Sequence, residues 1–217
     1  MTRITKIQKE ALEPKFSEFY SAVENLLGRV PNFYKTFSNS PFLAMAFLPI
    51  NALAQREWQG TNISGKIKEL IVIKTSHTNG CNYCYAHNTS LGKAAGISDE
   101  QIKAISLNEF SNSPLFEKEE VLALKWAEAV TLNKAAEDHA LFNELKSSYT
   151  ENQIAEMTIL CAMFNMINRI NDSLDVDLED TTEIDKIQKS LVLDPKKMTH
   201  YLTWLSSFWQ REYPSGN

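Results

Sequence analysis

The stretch Glu69-Leu-Ile-Val-Ile-Lys74-Thr-Ser-His77-Thr-Asn79-Gly80-Cys81-Asn-Tyr83-Cys84-Tyr-Ala-His87 holds two thiols, two imidazoles and a carboxylate in one short piece of chain. Its first half continues a helix that opens at Ser64 and carries Ile67, Leu70, Ile71 and Lys74. Asn79-Gly80 stops that helix, because Asn-Gly is a strong turn signal. A second helix starts at Cys81 or Asn82 and runs through Leu91 to Ala95, where Gly96 ends it. The cysteine pair therefore sits at a helix start, just past a reversal of the chain.

Working outward, the same helical grammar continues in both directions. Upstream, Phe16, Phe19, Tyr20, Val23, Leu26 and Leu27 mark one face of a helix from Pro14 to Leu27, with Gly28 as its stop. Val30-Pro31-Asn32 turns the chain, and a further helix from Ser40-Pro41 to about Trp58 is expected to kink or split at Pro49. Downstream, Ser98 with Gln101 and Thr150 with Gln153 are capping-box pairs. They open helices after Ser98 and from Thr150 to about Leu174, with Glu117–Leu132 and Glu137–Tyr149 between them. No segment alternates over strand length. Seven glycines in 217 residues is under half the usual share of roughly 7%, which disfavours a turn-rich sandwich or barrel. The expectation is one all-α domain over residues 1–217.

A net charge of −5 offers no basic footprint for nucleic acid. The odd cysteine count, with two of the three one turn apart, argues against a secreted disulfide framework. The amino terminus lacks an apolar signal region, and the longest apolar run, Ile154 to Ile170, is broken by Glu156, Asn165, Asn168 and Arg169. A cytoplasmic protein without membrane contact is expected.

The chemistry follows from spacing. Cys81 and Cys84 share a helix face and come close enough for a disulfide, and His87 stands one turn above Cys84. If the two helices lie antiparallel, Glu69 falls opposite a position near Ser90, giving the order Glu69, His87, Cys84, Cys81. A carboxylate that orients an imidazole, which takes a proton from a thiol, is a relay for thiol redox chemistry. The helix N-terminus favours a thiolate at Cys81, whereas His87 favours one at Cys84. From chemistry alone the attacking sulfur stays open.

A glutamate, eleven residues, then Cys-x-x-Cys and a following histidine resembles the carboxymuconolactone decarboxylase and alkyl hydroperoxidase D superfamily, in its cysteine-bearing, peroxidase-related branch. Val30-Pro31-Asn32-Phe33, Asn79 to Cys84, and the run Asn165, Asn168, Arg169, Asn171, Asp172 look like its landmarks. The resemblance covers about residues 28–180, with peripheral terminal helices outside it. It implies an alkyl hydroperoxidase D-like helical bundle in which Cys84 attacks peroxide, Cys81 resolves it, and Glu69 and His87 form the proton relay. It also implies a homo-oligomer. Its pattern has a histidine four residues after the second cysteine, where this chain has Asn88, and another between the cysteines, where this chain has Tyr83. His77 is the candidate to replace the latter.

The function expected is a thiol-dependent peroxidase or disulfide reductase needing no metal or organic cofactor. Its partners would be an organic hydroperoxide or hydrogen peroxide and an external dithiol. The alternatives are a lactone decarboxylase of the same superfamily and a non-catalytic module in which His77, Cys81, Cys84 and His87 bind structural zinc. A thioredoxin-like reading lacks the preceding strand. Cys161, among Ile159, Leu160, Met163 and Phe164, reads as a buried inert thiol, and His139 and His200 as ordinary histidines. Tyr201, Trp204, Leu205 and Phe208 form an apolar stripe behind Pro195, expected at a subunit contact.

Overall fold

The computed structural model describes residues 2–214 and has the expected helical fold. Among these residues the one β-type pairing is an isolated parallel bridge between Glu57 and Val192. At the centre is α4 (Gly65–Thr78), packed against α5 (Asn82–Ala94), α7 (Lys118–Thr131) and α9 (Glu151–Ser173). Ten of the fourteen α4 residues are buried, the pattern of a helix enclosed nearly all round. Two of them are lysines, which buried need partners. Lys68 pairs with Glu156 at 3.0 Å, and Lys74 with Glu128 at 2.8 Å.

The reversal from α4 into α5 forms where the sequence places it. Ser64 caps α4 by accepting from the Ile67 N–H, and Gly80 adopts φ +71° in the turn. Cys81 is the N-cap of α5, its sulfur accepting from the Cys84 N–H at 3.4 Å. The two helices approach closely at Gly92, where a Cβ would lie 2.8 Å from Ile73 Cδ1. Both capping boxes read from the sequence are present, at the starts of α6 (Asp99–Ser106) and α9. The helix α8 (His139–Ser148) completes that half of the molecule.

Three features differ from the sequence reading. After Pro31 the chain forms a short helix, α2 (Asn32–Phe37), following α1 (Ser17–Leu27); six residues are too few for a periodic signal. The second difference is at Pro49, where α3 (Pro41–Gln55) runs through unbroken. Proline cannot donate to the carbonyl four residues back, that of Met45. The hydroxyl of Tyr201, on the helix Pro195–Glu212, donates to that carbonyl instead, at 2.7 Å. The third difference follows from this contact. Tyr201 and Phe208 are enclosed by their own chain, Phe208 against Phe16 and Phe42, so this part of the stripe is spent on the molecule's core rather than a subunit contact. Among the described residues no helix is long and apolar enough to cross a membrane.

Candidate active site

The start of α5 brings the sulfurs of Cys81 and Cys84 to 2.7 Å, both thiols free and buried. Asn171, near the end of α9, donates from Nδ2 to the Cys84 sulfur at 3.2 Å. Burial pushes the Cys84 thiol well above its ordinary range; Cys81 adds to the rise and the Asn171 amide opposes it. Cys84 in this enclosed state is therefore a protonated thiol, and attack requires a base that removes its proton.

One turn on, His87 is fixed at both ring nitrogens. Nδ1 lies 2.8 Å from the Tyr83 carbonyl, and Nε2 lies 2.9 Å from Oε2 of Glu179. The carbonyl can only accept, so Nδ1 donates in the first contact, and the second is a close approach of ring nitrogen and carboxylate oxygen. Glu179 Oε1 accepts from the Tyr83 hydroxyl at 3.1 Å and from the Asn32 N–H. Tyr83 in turn accepts from the Phe33 N–H at 3.0 Å and lies against the His87 ring, centroids 4.2 Å apart. Burial raises the Glu179 carboxyl, but His87, the Asn32 N–H and Arg29 outweigh it and hold the group down to about 2.

Glu69 belongs to a different cluster. It is fully buried and accepts from Gln55 Nε2 at 3.2 Å; the same amide donates to Asn88 Oδ1 at 3.2 Å. Asn88 donates onward to Ser76 at 3.1 Å, and Arg56 Nη1 donates to Gln55 Oε1 at 2.6 Å. Burial raises the Glu69 carboxyl to about 8 against the opposing pull of Arg56, Gln55 and Lys68. Burial also lowers the Arg56 guanidinium to about 10.

The expected Glu69–His87 contact is thus corrected: among the described residues no hydrogen bond joins them, and the carboxylate on His87 is Glu179. Consecutive residues on a helix point about 100° apart. Asn88 faces α4, so His87 faces the segment that carries Glu179. His77 is half-buried and packs on Tyr85 with ring centroids 5.8 Å apart. No three His, Cys, Asp or Glu side chains among the described residues are arranged to hold a metal, so the Cys2His2 set does not assemble. Cys161 is fully buried beside Thr75, as its apolar neighbours indicated.

Cys84, Tyr83, His87, Asn88 and Asn171 line a cavity of about 70 Å³. Its apolar wall is Phe33, Phe164 and Ile167, while Phe47 and Leu48 are core. Sequence reasoning missed Glu179, Gln55, Arg29 and Arg56, none of which lies in a motif. Asn171 belonged to a flagged polar run, but nothing in that run distinguished it from its neighbours.

Fold and site together define an all-α protein with a paired-thiol centre at the turn between two packed helices. Residues 47–129 match the carboxymuconolactone decarboxylase family. The uncharacterized protein YdfG of Bacillus subtilis (strain 168) is 28% identical over 113 residues, 51% of this chain and 75% of that protein. The debrominase Bmp8 in its apo form superposes with a TM-score of 0.68 at 26% identity, covering 86% of this chain and 96% of Bmp8. A peroxidase-related protein from Ralstonia eutropha JMP134, described as an alkylhydroperoxidase AhpD core, gives 0.71 at 20% identity, covering 89% and 98%, and so speaks to fold alone. The family match spans the α4–α5 hairpin with both cysteines, and the likeness to the solved structures extends the shared fold beyond it.

Proposed function

We propose that this protein is a thiol-dependent peroxidase of the cytoplasm that cycles Cys81 and Cys84 between dithiol and disulfide. The observation that carries the reading is the 2.7 Å approach of the two sulfurs beside a cavity that also presents His87 on its Glu179 anchor. In the cycle, Cys84 gives up its proton and its sulfur attacks the distal peroxide oxygen. The O–O bond breaks, the sulfur becomes a sulfenic acid, and the alkoxide takes a proton to leave as alcohol. Cys81 then displaces water from the sulfenic acid to form the disulfide. An external dithiol restores both thiols and is itself oxidised.

Each group has a physical task in this reading. Asn171 stabilises negative charge on Cys84 through its amide donor, as a preorganised dipole does. His87, held by Glu179 and the Tyr83 carbonyl, serves the proton transfers. Glu69, held near neutral pH, supplies a second titrating group through Gln55 and Asn88. The test is consumption of tert-butyl hydroperoxide by metal-free protein with dithiothreitol as reductant. Turnover that disappears on alkylation of the dithiol supports the reading; no turnover overturns it.

A second reading has a specific observation behind it, the likeness to Bmp8. That protein is a debrominase, and a variant of it with one cysteine replaced by alanine has been solved in complex with 2,3,4-tribromopyrrole. The same dithiol here would replace carbon–bromine by carbon–hydrogen, two thiols becoming a disulfide with release of bromide and a proton. Bromide release from 2,3,4-tribromopyrrole, without peroxide turnover, would select it.

A further inference from the structure

The cavity beside Cys84 has a charge composition that thiol chemistry alone does not require. Arg29 and Arg56 both line it, and both are buried, 5% and 1% exposed. The Nε–H of each is buried without an acceptor among the described residues, and so is the Oδ1 of Asn171, on the same cavity, without a donor. Buried guanidiniums are normally paired, and an unmet donor costs roughly 1–3 kcal/mol. Arg56 makes one short bond, to Gln55 Oε1 at 2.6 Å, and the carbonyl of Glu183 is 3.5 Å from Arg29 Nη1. Among the described residues neither arginine has a carboxylate as a hydrogen-bond partner.

The surrounding acids cancel this charge only in part. Glu179 feels the charge of Arg29, but its Oε1 is taken by the Tyr83 hydroxyl and the Asn32 N–H and its Oε2 lies against His87. Glu69 is raised to about 8 by burial and is mostly uncharged at neutral pH. Two guanidiniums therefore line a cavity beside one ionised carboxylate, Glu179, which hydrogen-bonds neither of them. The two also repel each other, a cost that a ligand of opposite charge between them relieves.

We propose that this cavity is built for an anionic substrate, a small organic hydroperoxide with one carboxylate, which Arg29 and Arg56 hold while the peroxide faces Cys84. The volume of about 70 Å³ fits a compact molecule rather than a lipid hydroperoxide. The apolar face of Phe33, Phe164 and Ile167 accommodates a short branched carbon skeleton between the two ends. The identity of the reacting group rests on the peroxidase reading; the preference for negative charge does not.

The test separates the two. Alkylation of Cys84 in the full-length protein is followed by peptide mass spectrometry with iodoacetate and with iodoacetamide, which differ in charge. Their rate ratio is compared with that of 2-mercaptoethanol. A ratio raised on the order of tenfold, equivalent to ~1.4 kcal/mol, is expected, falling back in Arg56→Gln and Arg29→Gln. A wild-type ratio no greater than that of the free thiol overturns the proposal without any variant having to fold, and a raised ratio unchanged in both variants overturns the assignment to the arginines. A second arm compares 2-hydroperoxy-2-methylpropanoate with tert-butyl hydroperoxide, which carries a methyl group where the acid carries its carboxylate. Preference for the acid supports the proposal. Equal turnover of both overturns it while leaving the peroxidase reading intact. Charge-selective alkylation with turnover of neither peroxide supports the anionic cavity and overturns the peroxidase reading.

Discussion

Glu179 lies 96 residues beyond Tyr83, yet its two oxygens hold the Tyr83 hydroxyl at 3.1 Å and the His87 imidazole at 2.9 Å. The carboxylate thereby bridges the two aromatic side chains that flank Cys84. Replacing Glu179 by Gln preserves shape and removes the charge. Peroxide turnover should fall by about 10²-fold, the lower end of what a positioned acid–base partner contributes. The steady-state assay should show the loss in kcat with circular dichroism unchanged.

The two sulfurs should be distinguishable. Cys84→Ser is expected to abolish turnover, because the sulfur beside Asn171 and the cavity is gone. Cys81→Ser should leave one oxidation per chain, trapped at Cys84 as a sulfenate, since no resolving thiol remains. Equal trapping in both variants would reverse or erase the assignment.

Stability should depend on pH in opposite senses at two carboxylates. Glu69 is raised to about 8 from 4.5, so the folded protein favours its protonated form. Its contribution is complete below about pH 4.5 and is lost as pH rises through about 8. Glu179 is lowered to about 2 from 4.5, so its contribution is present above about pH 4.5 and is lost as pH falls toward 2. Thermal denaturation should show a melting temperature that declines from about pH 5 to pH 8.5, and Glu69→Gln should flatten that decline. Glu179→Gln should lower it at neutral pH. An identical slope in Glu69→Gln and wild type would remove Glu69 as the cause.

The bond from Tyr201 to the Met45 carbonyl makes a separable prediction. Tyr201→Phe strands a buried carbonyl and should cost about 1–3 kcal/mol in urea unfolding. Adding Pro49→Ala restores the missing helix donor. The cost of Tyr201→Phe should shrink in that background, and an additive double-mutant cycle would show that the hydroxyl and the proline act independently.

Local signals made much of the site's scaffold legible. Ser64, Asn79-Gly80 and the two capping boxes each act within a few residues, so the α4–α5 hairpin, with both thiols at its turn, could be read directly. The placement of His87 could not. Assigning it to Glu69 assumed that the face of α5 toward α4 begins at His87, whereas the bond from Asn88 to Ser76 shows that the face begins one residue later. Glu179 is one of several acids between Asp175 and Asp180, in a segment without helical period, and only tertiary closure singles it out. Arg29 and Arg56 were not singled out at all, because nothing local marks a charge for burial.

Two groups that close the dithiol site arrive late in synthesis. Asn171 follows Cys84 by 87 residues, and Glu179 follows Tyr83 by 96. At ~5–20 residues per second, a growing chain carries both cysteines for about four to seventeen seconds before either partner exists. During that interval the pair is exposed to whatever oxidant the ribosome's surroundings contain. A disulfide closed then reaches α9 as a finished bond, and the Asn171 amide meets it instead of a thiol. The redox state in which each molecule is born is therefore set by its compartment, before the cavity that later governs access to Cys84 has formed.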